Sequence, residues 1–480
     1  MTSSEKLSIE KSVPGRRGIW FAKASRPAAD WLPHHVLRRV PPRLPEMAES
    51  EVVRHYTRLS QLNYCLDTHF YPLGSCTMKH NPRANEEVAA LEGFAAAHPC
   101  APETAVQGTL EVLFRLERLL CELTGLAAFT LQPAAGAHGE FTGILVAAAF
   151  HRARGDRKRK EILVADSSHG TNPASAALGG FAVRTVASRA DGRLDLDALR
   201  MALGPQTAMV MLTVPNTLGL FERQIREIAE ATHAVGALLY MDGANFNALM
   251  GLAKPADFGV DILHLNLHKS FSTPHGGGGP GSGPVGVQAR LAKFLPVPRV
   301  VEKNGRFKLQ TRCPGSIGRM RSFAGNVGVI LKAYAYLRGH DALRLRSVAE
   351  NAILNANYVR ARLKDLYPAA VDEPCLHECV LRTEPEKMNG LKTLDVAKRL
   401  LDHGFHAPTI YFPLIVHEAL MIEPTETETR ETLEAFVSAL RAIHAEALSD
   451  PEKVKTAPHD LPVRRLDELA AARNPNVAWG

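Results

Sequence analysis

Between residues 126 and 267 short apolar runs alternate with stretches of helical spacing, and this alternation restricts the fold more than any other feature. The apolar runs fall at 126–131, 162–165, 182–186, 208–214, 237–241 and 262–267. Helical spacing occupies 137–154, 174–178, 194–203 and 225–235 between them; in the first of these Phe141, Ile144, Leu145 and Ala148 share a face. The run 208–214 reads AMVMLTV, apolar at consecutive positions and not at alternate ones. Such a strand is buried on both faces, as in a parallel sheet covered by crossover helices. The expectation is a doubly wound α/β domain of parallel strands.

A chain of 480 residues exceeds what one core usually supports, so further regions are expected. Residues 1–49 hold Pro14, Pro27, Pro33, Pro41, Pro42 and Pro45 among many arginines. Proline fixes φ and removes a donor, so this stretch reads as an extended arm. Trp20, Phe21 and Trp31 give the arm apolar surface to bury on another subunit, the alternative being a partly disordered leader. A helix is expected over 49–66, and residues 71–82 form a turn-rich loop in which Lys79 is a candidate ligand group and a plain loop is the simpler reading. Beyond Arg319 come long helices at 327–336 and 343–366, extended segments near 378–381 and at 411–416, and a helix at 394–401 stopped by Gly404. A last helix carries Leu433, Phe436, Val437, Leu440 and Ile443 on one face and ends before Pro451. The expected division is an N-terminal arm and helix (1–70), a large α/β domain (71–325) and a smaller α+β domain (326–480).

Charge excludes some functions. A net charge of +7 on 480 residues suits an anionic ligand or acidic partner but is no nucleic-acid footprint. The basic cluster HRARGDRKRK at 151–160 falls between a helix and a strand, which fits a solvated loop first and docking of an acidic partner second. Seven cysteines without a CxxC pair point to a reducing compartment, with Cys375 and Cys379 as core or strand residues. No apolar run approaches the roughly 20 residues that span a bilayer. The Arg16-Arg17 pair lacks the apolar segment of an export signal. A cytoplasmic protein with no membrane or nucleic-acid partner is expected.

Four features end strands or open helices in the α/β region, so they converge on one crevice. The first, 132–140 (QPAAGAHGE), is a small-residue turn at a helix N-terminus, a phosphate site or simply a close-packed turn. The second places His169 in the loop 167–172, to stack on a ring, shuttle a proton or remain surface. The third is Asp242, a carboxylate after an apolar strand, where it is costly unless a cation, a helix cap or a metal meets it. The fourth is Lys269, two residues past the last apolar run and followed by Gly276, Gly277, Gly278 and Gly279. Desolvation there would lower the lysine's pKa and favour a Schiff base with a cofactor aldehyde, and the ring nitrogen of pyridoxal phosphate would be the cation for Asp242.

Competing motifs fail on context. Gly276, Gly278 and Gly281 satisfy GxGxxG, but 284–287 reads as a strand where a dinucleotide fingerprint opens a helix. There is no P-loop and no GxSxG, and His377-Glu378 and His417-Glu418 each lack the second histidine of HExxH. No metal site is expected.

Eight stretches in order resemble one family: YPLGSCTMKHNP (71–82), QPAAGAHGEFTG (132–143), HGTNPASAA (169–177), VPNTLGLFE (214–222), MDGANFNALMG (241–251), HLNLHKSFSTPHGGGGPGSGPVGV (264–287), GSIGRMRSFAGN (315–326) and PTIYFPLIVHEALMIEPTETETRETLEAF (408–436). The chain is similar to the pyridoxal-phosphate-bearing second subunit of glycine dehydrogenase (decarboxylating), the P-protein of the glycine cleavage system. That resemblance implies a fold-type I, aspartate-aminotransferase-like pyridoxal-phosphate enzyme, an oxidoreductase. It implies that Lys269 carries the cofactor covalently, that Asp242 pairs with the ring nitrogen and that His169 stacks over the ring. Ala135, Gly136 and His268 would hold the phosphate and Thr217 would lie near the ring hydroxyl, while Arg319 and Arg321 are guesses for carboxylate or partner contacts. The implied reaction releases carbon dioxide from glycine and passes the aminomethyl group to the lipoyl disulfide of H-protein. A separately encoded first subunit, in a heterotetramer of two of each, is implied as well. Another fold-type I activity, an aminotransferase or amino-acid decarboxylase, is the alternative enzyme, and a scaffold subunit without cofactor the non-catalytic one. The glycine tract then becomes flexible backbone beside the lysine, near a neighbouring subunit's cofactor, which Gly278→Val would block.

Overall fold

The computed structural model describes residues 5–22, 25, 27, 30–40, 42–98, 101–276 and 279–477. The chain divides into two compact units, Met1–Thr68 with Pro458–Gly480, and His69–Ala457.

In the first unit the helix Glu49–Gln61 is capped by Glu51, whose carboxylate accepts from the Ala48 amide at 2.8 Å. Glu5 gathers Arg58, Lys11 and His55 around its carboxylate. Among the described residues the rest of the arm includes the short 3-10 turns Ser8–Lys11 and His34–Val36, and Trp20, Phe21 and Trp31 are exposed.

The second unit is built on a seven-stranded sheet: β1 (Ala128–Thr130), β2 (Glu161–Ala165), β3 (Ala182–Val186), β4 (Thr207–Thr213), β5 (Leu238–Gly243), β6 (Ile262–Leu265) and β7 (Val285–Val287), in the order β1-β7-β6-β5-β4-β2-β3. The pairs among β2 to β6 are parallel, as expected. One strand outside the six expected runs, β7, lies antiparallel to both β6 and β1. After β6 the chain makes one helical turn, Leu267–Ser270, and among the described residues no crossover helix precedes β7. Without a crossover the returning strand must be antiparallel.

Strand residues alternate strictly between two cores. Leu163, Val210, Leu212, Leu239, Met241, Leu263 and Leu265 face one layer of helices, which includes Gln107–Thr124 and Val327–Arg338. Ile162, Val164, Met209, Met211, Leu238, Tyr240 and Ile262 face the other, against the helix Gly136–Ala153. The continuous apolar runs are therefore two interleaved period-2 patterns, one for each face.

Two further strands, β8 (Arg299–Lys303) and β9 (Arg306–Gln310), form a hairpin. Beyond it, β10 (Cys379–Arg382), β11 (Thr409–Ile410) and β12 (Ala419–Ile422) make an antiparallel sheet ordered β10-β12-β11. Its core includes Val359, Leu363, Val396, Leu400, Phe436 and Leu440 from the helices Ala342–Leu363, Thr393–Asp402 and Arg430–Ser449, with Cys375 and Cys379 buried in it. The segment 411–416 is not extended as expected: β11 stops at Ile410, Tyr411 takes φ 58°, and an apolar loop follows. Among the described residues no helix is long and apolar enough to cross a membrane.

Candidate active site

A cavity of about 430 Å³ opens at the carboxyl ends of β4, β5 and β6, within the usual range for a small-ligand site. It is lined by Gly136, His169, Thr217, Asp242, His268 and Lys269, six of the seven residues picked out from sequence. The seventh, Ala135, is the extended residue that precedes the helix Gly136–Ala153 and lies just behind the lining.

Lys269 does not sit on the strand end itself. β6 stops at Leu265, and the lysine belongs to the helical turn that follows, half-buried and not fully desolvated. Its ammonium donates to the Ser75 carbonyl at 2.7 Å. Beside it, His268 accepts from the Ser282 amide through Nδ1 at 3.2 Å. Burial, then the charges of Lys269 and His275, push its pKa down to about 3. A neutral imidazole with Nδ1 occupied can offer a ligand only the Nε2 proton.

Asp242, at the end of β5, is buried to 2% exposure. Burial alone would raise its pKa, but His264, the Ala244 amide, Asn172 and Lys269 outweigh it and hold the carboxyl below the usual range. The contacts are Ala244 N at 3.0 Å and His264 Nε2 at 3.3 Å on Oδ1, and Asn172 Nδ2 at 3.1 Å on Oδ2. Tyr240 OH lies 2.6 Å from His264 Nδ1, which fixes the ring that faces Asp242. Next to it Glu140 accepts from Thr171 Oγ1 at 2.8 Å, and burial followed by the charge of Asp242 pushes its pKa up to about 8. Asp242 is therefore the anion of this pair and Glu140 the neutral acid at neutral pH.

His169 stands at the rim, its Nδ1 accepting the Thr171 amide at 3.2 Å and its ring edge-on to Phe412. Thr217 donates its hydroxyl to the Ser167 carbonyl at 2.6 Å, so toward the cavity it can only accept. Neither Arg319 nor Arg321 lines the cavity: Arg319 donates to the Ser322 carbonyl and Arg321 to Asn326. Lys79 is structural, since its buried ammonium meets Glu426 at 2.7 Å and Asn247 at 2.8 Å.

The sequence reading missed the groups that close the site from the other side. The loop 73–76 lines the cavity with Thr409 and Phe412, and Cys76 Sγ lies 3.4 Å from His275 Nε2. Glu378 and Glu423, which carry that loop, gave no signal beyond a failed zinc pattern and a run of threonines and glutamates. The Gly278→Val expectation falls on Gly277 and Gly278, which lie outside the described residues. At the edge of the tract Gly276 takes φ +66°, and a Cβ there would strike the Gly279 carbonyl.

The residues present fit pyridoxal phosphate. The helix at Gly136 leaves first-turn amides without intrahelical partners at the cavity, and a Cβ on Gly136 would sit 2.8 Å from Asn266 Oδ1. Asn266 Oδ1 and Thr213 Oγ1, both on residues of the lining, are buried without a hydrogen-bond partner. Asp242 is an ionised acceptor awaiting a cation. A primary amine, an anion cradle and a buried carboxylate thus face one volume, which suits an aldehyde cofactor with a phosphate and a basic ring nitrogen.

Residues 348–464 match the family "Glycine dehydrogenase, C-terminal domain", and residues 142–278 match "Aminotransferase class-V". The chain is 58% identical to a probable glycine dehydrogenase (decarboxylating) subunit 2 of Caldanaerobacter subterraneus subsp. tengcongensis, covering 98% of each chain. It is 55% identical to the protein of that name in Kosmotoga olearia, again over 98% of each. Among solved structures it resembles an inhibitor-bound glycine decarboxylase (P-protein) of the glycine cleavage system, with TM-score 0.73 and 25% identity, covering 86% of this chain and 94% of that one. A cysteine desulfurase of Escherichia coli, at TM-score 0.61 and 15% identity over 82% of this chain and 98% of that one, shares the fold. The chain belongs to the family of glycine dehydrogenase (decarboxylating) subunit 2, pyridoxal-phosphate-dependent oxidoreductases of the fold-type I class.

Proposed function

We propose that this chain decarboxylates glycine on pyridoxal phosphate held by Lys269 and passes the aminomethyl group to the lipoyl disulfide of an H-protein. The observation that carries the reading is the single cavity onto which Lys269, Asp242, His169 and the helix N-terminus at Gly136 all open. When bound, the cofactor supplies an electron sink for the carbon that loses its carboxylate.

The protein's own groups have separate tasks. Asp242, kept ionised by three donors, holds a proton on the cofactor's ring nitrogen. The amides at Gly136, with the backbone of Ala135 behind them and the Nε2 proton of neutral His268, hold the phosphate. Thr217, its own proton already given to the Ser167 carbonyl, would accept from the ring hydroxyl, and His169 at the rim would face the ring. Lys269 would be the amine that holds the cofactor covalently. The apolar loop around Phe412, at the mouth, keeps water from the reacting carbon.

A first subunit of the same system and a lipoylated H-protein are the partners this function needs, the former in a heterotetramer of two of each. Exchange of labelled carbon dioxide into glycine tests the proposal, with the chain, a first subunit and lipoylated H-protein together. Exchange that requires all three supports it. A complete mixture that shows none, while the chain binds the cofactor, would leave another fold-type I reaction in its place.

A further inference from the structure

In β10 and β12 Cys379 is paired with Ile422, so the next residues outward, Glu378 and Glu423, emerge side by side at one end of the small sheet. Both are completely buried, and their carboxylate oxygens come within 4.8 Å of each other. Both point at the loop 74–77. Glu378 accepts from the Ser75 amide at 2.6 Å, and Glu423 accepts from the amides of Cys76 at 3.2 Å and Thr77 at 2.9 Å and from the Thr77 hydroxyl. Ser75 and Thr77 are non-glycine residues at φ 59° and 23°, a strained backbone that needs such anchoring. The carbonyl of the anchored Ser75 is the group that accepts from Lys269.

We propose that Glu378 and Glu423 share a proton and act together as positioning residues, holding the loop 74–77 against Lys269 and setting how readily its amine reacts. The proposal rests on Lys269 being the cofactor-bearing amine. Two carboxylates this close in a dry site do not both ionise easily, and they titrate as a unit. Burial pushes the Glu423 carboxyl up to about 7, against the pull of its Thr77 bonds and Lys269, and pushes Glu378 well above the ordinary range. The other titratable groups that face the pair are Lys269, Cys76 from the loop, and His377, Cys375 and Cys379 beside Glu378. Burial raises all three thiols, Cys375 to about 12, and lowers His377 to about 3, so all four are neutral at neutral pH. The charge of the pair is then felt chiefly by Lys269. Below neutral pH the pair holds both its protons, and as pH rises through about 7 one of them leaves, so that a single negative charge with one shared proton then faces the Lys269 side chain.

The test is trace acylation of Lys269 in the full-length, cofactor-free chain, read by peptide mass spectrometry across pH. It needs neither turnover nor bound cofactor, so it is separable from borohydride fixation of cofactor to Lys269, which tests the underlying assignment. Wild type should show an inflection near neutrality that a simple amine lacks. Both Glu423→Gln and Glu378→Gln keep the shape and an acceptor oxygen; the first should abolish that inflection, and the second, which removes the partner in the shared proton, should displace it. Thr77→Val, which removes a donor to Glu423, should move the inflection to higher pH. Folded glutamine variants with the wild-type profile would overturn the proposal. If neither glutamine variant folds, an unmoved inflection in Thr77→Val overturns it equally.

Discussion

Replacing Asp242 by asparagine exchanges one oxygen for an amide nitrogen, and the structure separates its two consequences. The first concerns the protein alone. Three donors converge on the carboxylate: Ala244 N at 3.0 Å, His264 Nε2 at 3.3 Å and Asn172 Nδ2 at 3.1 Å. Asparagine offers a single oxygen, so if it stays toward Ala244 and His264, its NH2 confronts the Asn172 NH2. One buried donor is left unsatisfied, at a cost of about 1–3 kcal/mol. That loss shows as a lower thermal transition in the cofactor-free chain.

The second consequence exists only with cofactor bound. A hydrogen bond between an ionised carboxylate and a protonated ring nitrogen contributes about 1.5–3 kcal/mol, or roughly 10–150-fold in dissociation constant. Titration of the cofactor-free variant with pyridoxal phosphate, followed by absorbance, measures it. The expected D242N protein is folded, less stable and at least tenfold weaker in cofactor binding. A variant that loses stability yet binds pyridoxal phosphate within about threefold of wild type would refute the pairing, because it would show that Asp242 is only a hub for its three protein donors.

Three further outcomes follow from buried groups. Lys79→Met should destabilise the protein by about 3–5 kcal/mol by leaving Glu426 buried without its cation, and adding Glu426→Gln should recover much of that loss in thermal or urea unfolding. Glu140 is raised from the ordinary 4.5 to about 8, so between those values the folded chain keeps a proton that the unfolded chain has released. Stability should accordingly fall as pH rises through that window, with up to about 1.4 kcal/mol per pH unit from this group, and Glu140→Gln should flatten the dependence of the thermal transition on pH. Gly136→Val places a Cβ 2.8 Å from Asn266 Oδ1, at the mouth of the phosphate cradle. It should weaken pyridoxal phosphate more than pyridoxal in the same absorbance titration, whereas equal weakening would place the phosphate elsewhere.

The sheet was legible because a strand covered on both faces leaves an uninterrupted apolar signature, and β4 and β5 follow it within a residue or two. β7 escaped as antiparallel because its direction depends on what connects it to β6, and a segment of serine, glycine and proline does not state whether it crosses the sheet or turns back. In the site, residues at the ends of strands were found because topology sends every such end to one crevice. Ser75, Glu378 and Glu423 were not found because no local pattern joins them. Glu378 immediately precedes β10 and Glu423 immediately follows β12, so they meet only through antiparallel register, and the loop they hold is more than three hundred residues away in sequence. Lys79 shows the converse case. Alone it reads as a plain loop residue or a candidate ligand, because its partner Glu426 lies in a threonine-rich stretch that reads as solvent-facing. A buried charge advertises nothing in sequence when its counterion comes from the far end of the chain. The half of the site built on the large sheet is therefore readable residue by residue, while the half supported by the three-stranded sheet becomes readable only when strand register sets two acids side by side beneath the loop that meets Lys269.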